Sequence, residues 1–365
     1  MKEKRNKVTR NRLIRHAHFH PMLEAEDVFK YVFQSVFGCE HLVTDEAKAL
    51  EFINREYERE YENISLQNDN VLEKLDGEYS RVNLASLTLG LSPETLARLF
   101  CLSAKEEPCG KALIEEKLDV ARELVKSGDI PLPSADFEKQ IAKWKEDGYP
   151  AVHHSDTFRE FYHPAYRVIA NKYANFLGVF SKIDSLLSKG RAIVAIEGGS
   201  ASGKTTLAKV LEEVYDCNVF HMDDFFLRPE QRTSERFHEV GGNVDRERFA
   251  EEVLTPLLRN EEVRYCPFDC SKLALGGEIT VLPKPLTIIE GVYSTHPAFG
   301  KYYDVAFFLD VSPDLQRQRI LKRNTQALAM RFFEEWIPLE NRYFDETKIR
   351  SRICNVIAVP ADNTQ

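Results

Sequence analysis

Apolar residues recur at helical spacing through the first half of this chain and in short unbroken runs through the second. In "EAEDVFKYVFQSVF" (24–37), Val28, Tyr31, Val32, Val36 and Phe37 stand at helical spacing behind an acidic start. "SPETLARLFCLSA" (92–104) predicts a helix with Ser92 as its cap, Pro93 in the first turn and Glu94 close behind. "EEKLDVARELVKSGD" (115–129) and "FEKQIAKWKEDG" (137–148) predict two more, with "PLPSADF" (131–137) as the loop between them. The stretch 158–190 reads as helical beyond Pro164 and closes on Gly190.

After Gly190 the pattern changes. "AIVAIE" (192–197), "CNVFHM" (217–222), "LTIIEG" (286–291), "VAFFLDV" (305–311) and "ICNVIAV" (353–359) are apolar runs separated by helical stretches. Such runs predict a parallel sheet buried on both faces. "EVRYCPFD" and "EITVLP" are expected to pair as a small ribbon beside it. The chain therefore divides into a mainly helical domain, 1–185, and an α/β domain, 186–365.

Composition narrows the setting. The 365 residues carry a formal net charge of -9, which argues against a main role in gripping nucleic acid. The basic opening "MKEKRNKVTRNRLIR" is not followed by an apolar segment, so it does not read as a secretory signal. No apolar run approaches the roughly 20 residues that a membrane helix needs. The seven cysteines include no CxxC pair, as expected of reduced thiols. The expectation is a cytoplasmic protein, with self-association left open.

The candidate chemistry begins where the first apolar run ends. Gly198-Gly199-Ser200-Ala201-Ser202-Gly203-Lys204-Thr205 fits G-x-x-x-x-G-K-[ST], and Thr206 continues into a helix. Glycines let successive backbone N–H groups turn inward, and the helix that follows adds its positive end. Lys204 is placed to neutralise β- and γ-phosphates and the Thr205 hydroxyl to ligate Mg²⁺. The fold class expected is thus an α/β P-loop NTPase preceded by a mainly α-helical domain, with ATP and Mg²⁺ as ligands.

Acids and arginines stand where a phosphotransferase needs them. Asp223 and Asp224 follow the second predicted strand, and strand ends on that side of such a sheet face the ligand crevice. A carboxylate there can orient an acceptor hydroxyl, take its proton or hold water on Mg²⁺; a helix cap or surface turn is the structural alternative. Glu290 ends "LTIIE", a position for an acid near the metal. Arg319 and Arg323 lie four residues apart on one helical face, with Arg317, Lys322 and Arg331 nearby. They either close over a transferring phosphoryl group or form a solvated basic face.

The order phosphate loop, "MDDFF", "NVDRERF", "RYCPFD", "IIEGVY" and arginine-rich helix resembles the uridine kinase and phosphoribulokinase group over residues 190–360. The resemblance implies that Asp223 activates the acceptor hydroxyl and that Asp245 binds sugar hydroxyls. It implies Phe268 and Asp269 in the acceptor pocket, Glu290 at the metal, and Arg319 and Arg323 in a lid, with Arg331 a further candidate. Three departures leave the acceptor open among nucleosides, sugars and other small alcohols. Arg246-Glu247 replace a histidine-proline pair, Cys270 stands where an aromatic residue is usual, and "EEWIPLENRYF" (334–344) does not match the group.

Other signals remain outside that resemblance. In "HAHFHP", His16, His18 and His20 alternate and would share a side if extended; the reading is a surface or partner-contacting run, with a metal site as the alternative. "GYPAVHHSDTFREFYHPAYR" (148–167) gathers His153, His154, His163 and several aromatic rings, as core packing or as a pocket surface. "FGCEHL" (37–42) reads as a helix break. Two functions fit the whole: a kinase acting on a small alcohol, or a nucleotide-dependent switch or ATPase whose helical half binds a partner. Neither a guanine-reading Asn-Lys-x-Asp nor a transporter-type Leu-Ser-Gly-Gly stretch follows the loop.

Overall fold

The computed structural model describes residues 2–39, 45–65, 71–105, 110 and 112–359, and its chain forms two compact units, Met1–Ser185 and Leu186–Gln365. The first unit runs α1 (Lys2–Phe19), α2 (Ala25–Phe37), α3 (Glu46–Ser65), β1 (Leu72–Lys74), β2 (Tyr79–Asn83), α4 (Pro93–Ser103), α5 (Ala112–Ser127), α6 (Ser134–Glu146), α7 (Asp156–Tyr162), β3 (Tyr166–Ala170), α8 (Asn171–Ala174) and α9 (Leu177–Leu187). The predicted cap of α4 is present, with the Ser92 hydroxyl accepting from the Thr95 N–H at 3.0 Å. α2 buries Val28, Tyr31, Val32 and Val36 and stops at Gly38, whose φ is 66°. A Cβ there would lie 2.5 Å from the Tyr79 ring, so close approach as well as conformation calls for glycine. Of "FGCEHL", Glu40, His41 and Leu42 lie outside the described residues.

Three expectations for this unit need correcting. The stretch after Pro164 is not helical at once: Tyr166–Ala170 is a strand, pairing antiparallel with β2 from Asn83↔Tyr166 to Tyr79↔Ala170. Its β-branched Val168 and Ile169 suit a pleat, and pairing along β2 outweighs the helical spacing. The loop predicted at 131–137 is shorter, because α6 begins at Ser134. The histidine run is helical through Phe19 rather than extended, so His16 and His20 meet at 4.5 Å while His18 is exposed. His16 is also buried rather than on the surface. Among the described residues, no group of three or more His, Cys, Asp or Glu side chains is arranged to hold a metal ion.

The second unit contains β4 (Ala192–Gly198), α10 (Lys204–Val214), β5 (Cys217–His221), α11 (Ser234–His238), α12 (Arg246–Phe249), α13 (Thr255–Leu258), β6 (Val263–Tyr265), β7 (Phe268–Asp269), β8 (Ala274–Leu275), β9 (Ile279–Val281), β10 (Leu286–Glu290), β11 (Val305–Asp310), α14 (Pro313–Arg323), α15 (Gln326–Arg331), α16 (Ile337–Glu346), α17 (Ile349–Arg352) and β12 (Asn355–Ala358). All five predicted apolar runs become strands of one parallel sheet, ordered β12-β11-β4-β10-β5. β4 and β10 are buried throughout, as strands covered on both faces must be. The predicted ribbon also forms, as β6 paired with β9 through Val263↔Val281. Ile193, Phe220, Phe225, Phe249, Ile289 and Phe308 belong to the core that fixes the carboxyl ends of β4, β5 and β10 side by side. Emptying one of those Phe positions to Ala costs about 3–5 kcal/mol in a packed core.

Candidate functional site

The loop after β4 turns on Gly198, with φ 148°, and Gly203, with φ 103°. A Cβ on Gly198 would sit 2.7 Å from the Leu309 carbonyl oxygen, so a side chain there would collide with backbone. Ala201 also takes a left-handed conformation, φ 58°, within the turn. α10 begins at Lys204, pointing its N-terminal end at the loop. Lys204 is buried, and its Nζ donates to the Gly199 carbonyl at 3.0 Å. Here the lysine is held across the mouth of the loop. The buried Ser202 hydroxyl has no hydrogen-bond partner.

The ends of two strands, β5 and β10, converge beside it. The Thr205 hydroxyl donates to Glu290 Oε1 at 3.0 Å, and His221 Nδ1 lies 2.6 Å from the same oxygen. The parallel register puts Glu290 directly opposite His221, which is why residues 69 apart meet. Burial works to raise the Glu290 carboxyl, but His221, Lys204 and Thr205 together hold it below its ordinary range. The bond to Glu290 raises His221 against its desolvation. Asp223 follows in the short turn after β5 and faces solvent. Surrounding protein and the charges of Glu290 and Asp224 raise its carboxyl against Lys204 and His221; its open surface tempers the effect. Asp224 is partly buried and accepts from the Tyr265 hydroxyl at 3.2 Å. Arg248 fixes this turn, donating to the Asp224 and Cys266 carbonyls.

The other nominated residues sit as follows. Asp245 is buried and caps α12, accepting from the Arg248 N–H at 3.2 Å, while its Oδ2 has no hydrogen-bond partner. Phe268 is buried in β7 beneath the Arg232 guanidinium. The Asp269 carboxylate is used by its own turn, accepting from Ser271 and pairing with Lys272. Arg319 donates to the Ala201 carbonyl at 3.2 Å, bracing the back of the loop. Arg323 lies over the Phe332 ring, and Arg331 pairs with Glu335. In this conformation only Arg319 of the arginine set touches the loop.

Two carboxylates at the loop escaped the sequence reading. Glu197 is fully buried and accepts from five donors: the N–H groups of Gly198, Tyr293 and Thr295 and the hydroxyls of Thr295 and Tyr343. Glu340, on α16, accepts from the Ser200 N–H at 2.9 Å and the Ser200 hydroxyl at 2.5 Å. Burial raises its carboxyl, opposed by Ser200 and Lys204. Glu340 lies inside "EEWIPLENRYF", so the mismatch of that stretch was itself a signal; Glu197, one residue before the loop, carried none.

A parallel sheet in this order, with the loop at the end of its central strand, decides the fold. The second unit is a P-loop α/β domain. The chain is similar in structure to a possible uridine kinase from Bacillus stearothermophilus, at 20% identity over 49% of this chain and 99% of that one, with a TM-score of 0.37. It is also similar to the shikimate kinase of Bacteroides thetaiotaomicron, at 17% identity over 46% of this chain and 86% of that one, with a TM-score of 0.24. No protein-family model matches the sequence, and no curated protein does. No helix of the described residues is long and apolar enough to cross a membrane.

Proposed function

We propose that this chain is an ATP-dependent kinase that transfers the γ-phosphoryl group to the hydroxyl of a small nucleoside-like or sugar-like acceptor. The observation that carries the reading is the meeting of Thr205 and Glu290 beside buried Lys204, with Asp223 at the next strand end. The cradle fits a polyphosphate: Gly198 leaves backbone where a Cβ would collide, and Ser202 keeps an unpaired buried hydroxyl. Thr205 and Glu290 are the residues that would hold Mg²⁺, which would offset phosphate charge there.

The protein's own groups do the rest. Backbone N–H groups of the loop and the start of α10 bind phosphate oxygens, and Lys204 exchanges the Gly199 carbonyl for them. Asp223 accepts the acceptor's proton as its oxygen bonds to the γ-phosphorus and the bond to the bridging oxygen of ADP breaks. Arg319 keeps the loop in shape from behind. Exclusion of water by closure of the arginine-bearing helices would suppress hydrolysis.

The test is ADP formation from MgATP across nucleosides, sugars and sugar phosphates, with Lys204→Ala as the blank. An acceptor that raises turnover well above bare hydrolysis supports the kinase and gives its substrate class. Tight ATP binding with turnover indifferent to every alcohol would replace the reading by a nucleotide-dependent switch.

A further inference from the structure

The helical unit holds a cavity of about 690 Å³ that the phosphate-loop chemistry does not use. That volume suits one small ligand. Its walls come from α1, α7 and the strands β1 and β2. Arg81 lines it, only 3% exposed. Its Nε donates to Gln34 at 2.9 Å and its Nη1 to Glu73 at 3.1 Å, and the guanidinium lies between the rings of Tyr31 and Tyr166. Those contacts leave Nη2 with no hydrogen-bond partner. His16 stands in the same cavity, also 3% exposed, with Nδ1 toward Glu73 at 3.3 Å and Nε2 likewise unpartnered. Two orphaned nitrogens in one buried place are what a folded chain avoids unless something else completes them.

The charged side chains around them are mainly cationic. Arg12, Arg15 and Lys74 join Arg81 in the lining, against the single carboxylate of Glu73, which Arg81 and His16 already share. α1 shows the contrast along its own length. Arg5 and Arg10 are paired with Glu116 and Glu123 of α5, whereas Arg12 and Arg15 have no carboxylate partner among the described residues. Burial keeps His16 and His20 low, the latter at about 4, so the positive charge at neutral pH comes from the arginines and the lysine. At the mouth, Phe19 and Phe161 are 54% and 56% exposed, large rings open to solvent, with the Arg15 guanidinium 5.4 Å over the Phe19 ring.

We propose that this cavity is a second ligand site, for a nucleoside monophosphate: one phosphate drawn to Arg12, Arg15 and the Arg81 floor, and one flat ring stacked at the Phe19 and Phe161 rim. Guanidinium groups suit the phosphate because each offers paired N–H donors to two oxygens. Four cations around one acid match a dianion better than a single carboxylate. The size of the enclosure sets the limit at one nucleotide rather than a strand. The inference rests on the helical unit alone and is independent of what the phosphate loop does.

Calorimetric titration of the full chain carrying Lys204→Ala with AMP and UMP tests it, because that background removes the loop's lysine and the cavity variants assign any binding that remains. At least one mononucleotide should bind once per chain. Arg12→Ala with Arg15→Ala should weaken it by about tenfold or more, and Phe161→Ala by about threefold, with melting temperatures unchanged. Arg15→Glu alone, at an exposed position, should repel the ligand without disturbing the fold. Ribose 5-phosphate and inorganic phosphate should bind at least about tenfold more weakly than the mononucleotide. The proposal is overturned if neither mononucleotide binds, if affinity ignores the arginine changes, or if ribose 5-phosphate or phosphate binds as tightly. A short single-stranded oligonucleotide binding more tightly than AMP and UMP would also overturn it, as a nucleic-acid surface.

Discussion

The phosphate loop and the cavity of the helical unit gather positive charge in opposite ways. In the loop, eight consecutive residues supply backbone N–H groups, a helix end and one lysine, so the charge is mostly dipolar and its geometry is set by glycine conformation. In the cavity, full cations arrive from α1 and from β1 and β2, and a stacked, doubly bonded Arg81 forms the floor. Each place keeps a buried polar atom unpaired: the Ser202 hydroxyl in one, Arg81 Nη2 and His16 Nε2 in the other. A site written in one stretch is visible as a motif. A site assembled from scattered residues is visible only once the chain has folded.

The sharpest way to break that comparison is Lys204→Ala. Acceptor-dependent ADP formation should fall by about 10³-fold, as when a charge-stabilising group is lost, while mononucleotide binding in the cavity is untouched. If both ligands were lost together, the two sites would not be separate. Asp223→Asn should lower kcat by about 10²–10³-fold with the KM for ATP nearly constant, since proton acceptance and phosphate binding belong to different residues.

A third change addresses the helical unit alone. Asp27 is fully buried and accepts from the Glu24 N–H, from Ser155 through both its N–H and its hydroxyl, and from His154 at 2.7 Å. Asp27→Ala strands those donors and should cost about 3 kcal/mol, read as a lower urea midpoint followed by a probe near Trp144. MgATP binding at the loop should survive in the range where the second unit stays folded.

The smallest effect is in pH dependence. His221 is raised by Glu290, so its contribution to stability is full below the unfolded histidine value of about 6.5 and is lost as pH climbs through the folded value. Glu290 is lowered, so its contribution is present above the unfolded glutamate value and is lost as pH falls through the folded one. His221→Asn should therefore flatten the decline in melting temperature on the alkaline side of pH 6.5. An unchanged slope would remove the pair from the account.

Much of the second unit was legible beforehand because its strands are continuous apolar runs and its loop obeys a fixed spacing. The first unit yielded its α2 and α4 helices but hid the sheet, since "YSRVN" and "YRVIA" are five residues each and pair across 83 to 91 positions, from Asn83↔Tyr166 to Tyr79↔Ala170. Around the loop, Thr205 and Glu290 were found where they meet. Glu340 was not, because its contact with Ser200 spans 140 residues and follows no motif. Asp269 shows the reverse difficulty: a carboxylate in the expected position is taken up by the turn it sits in.

The span between the loop and its two supporting carboxylate contacts also bears on how the protein is made. Ser200 waits for Glu340 and Glu197 waits for Tyr343, partners 140 and 146 residues downstream on one helix. On a ribosome, the glycine turn emerges long before α16 does, and contacts of such long range form late. A nascent chain halted before residue 337 thus carries the whole motif and the Arg319 brace yet lacks the Glu340 and Tyr343 contacts. Full bonding of the loop carboxylates would wait until α16 has emerged.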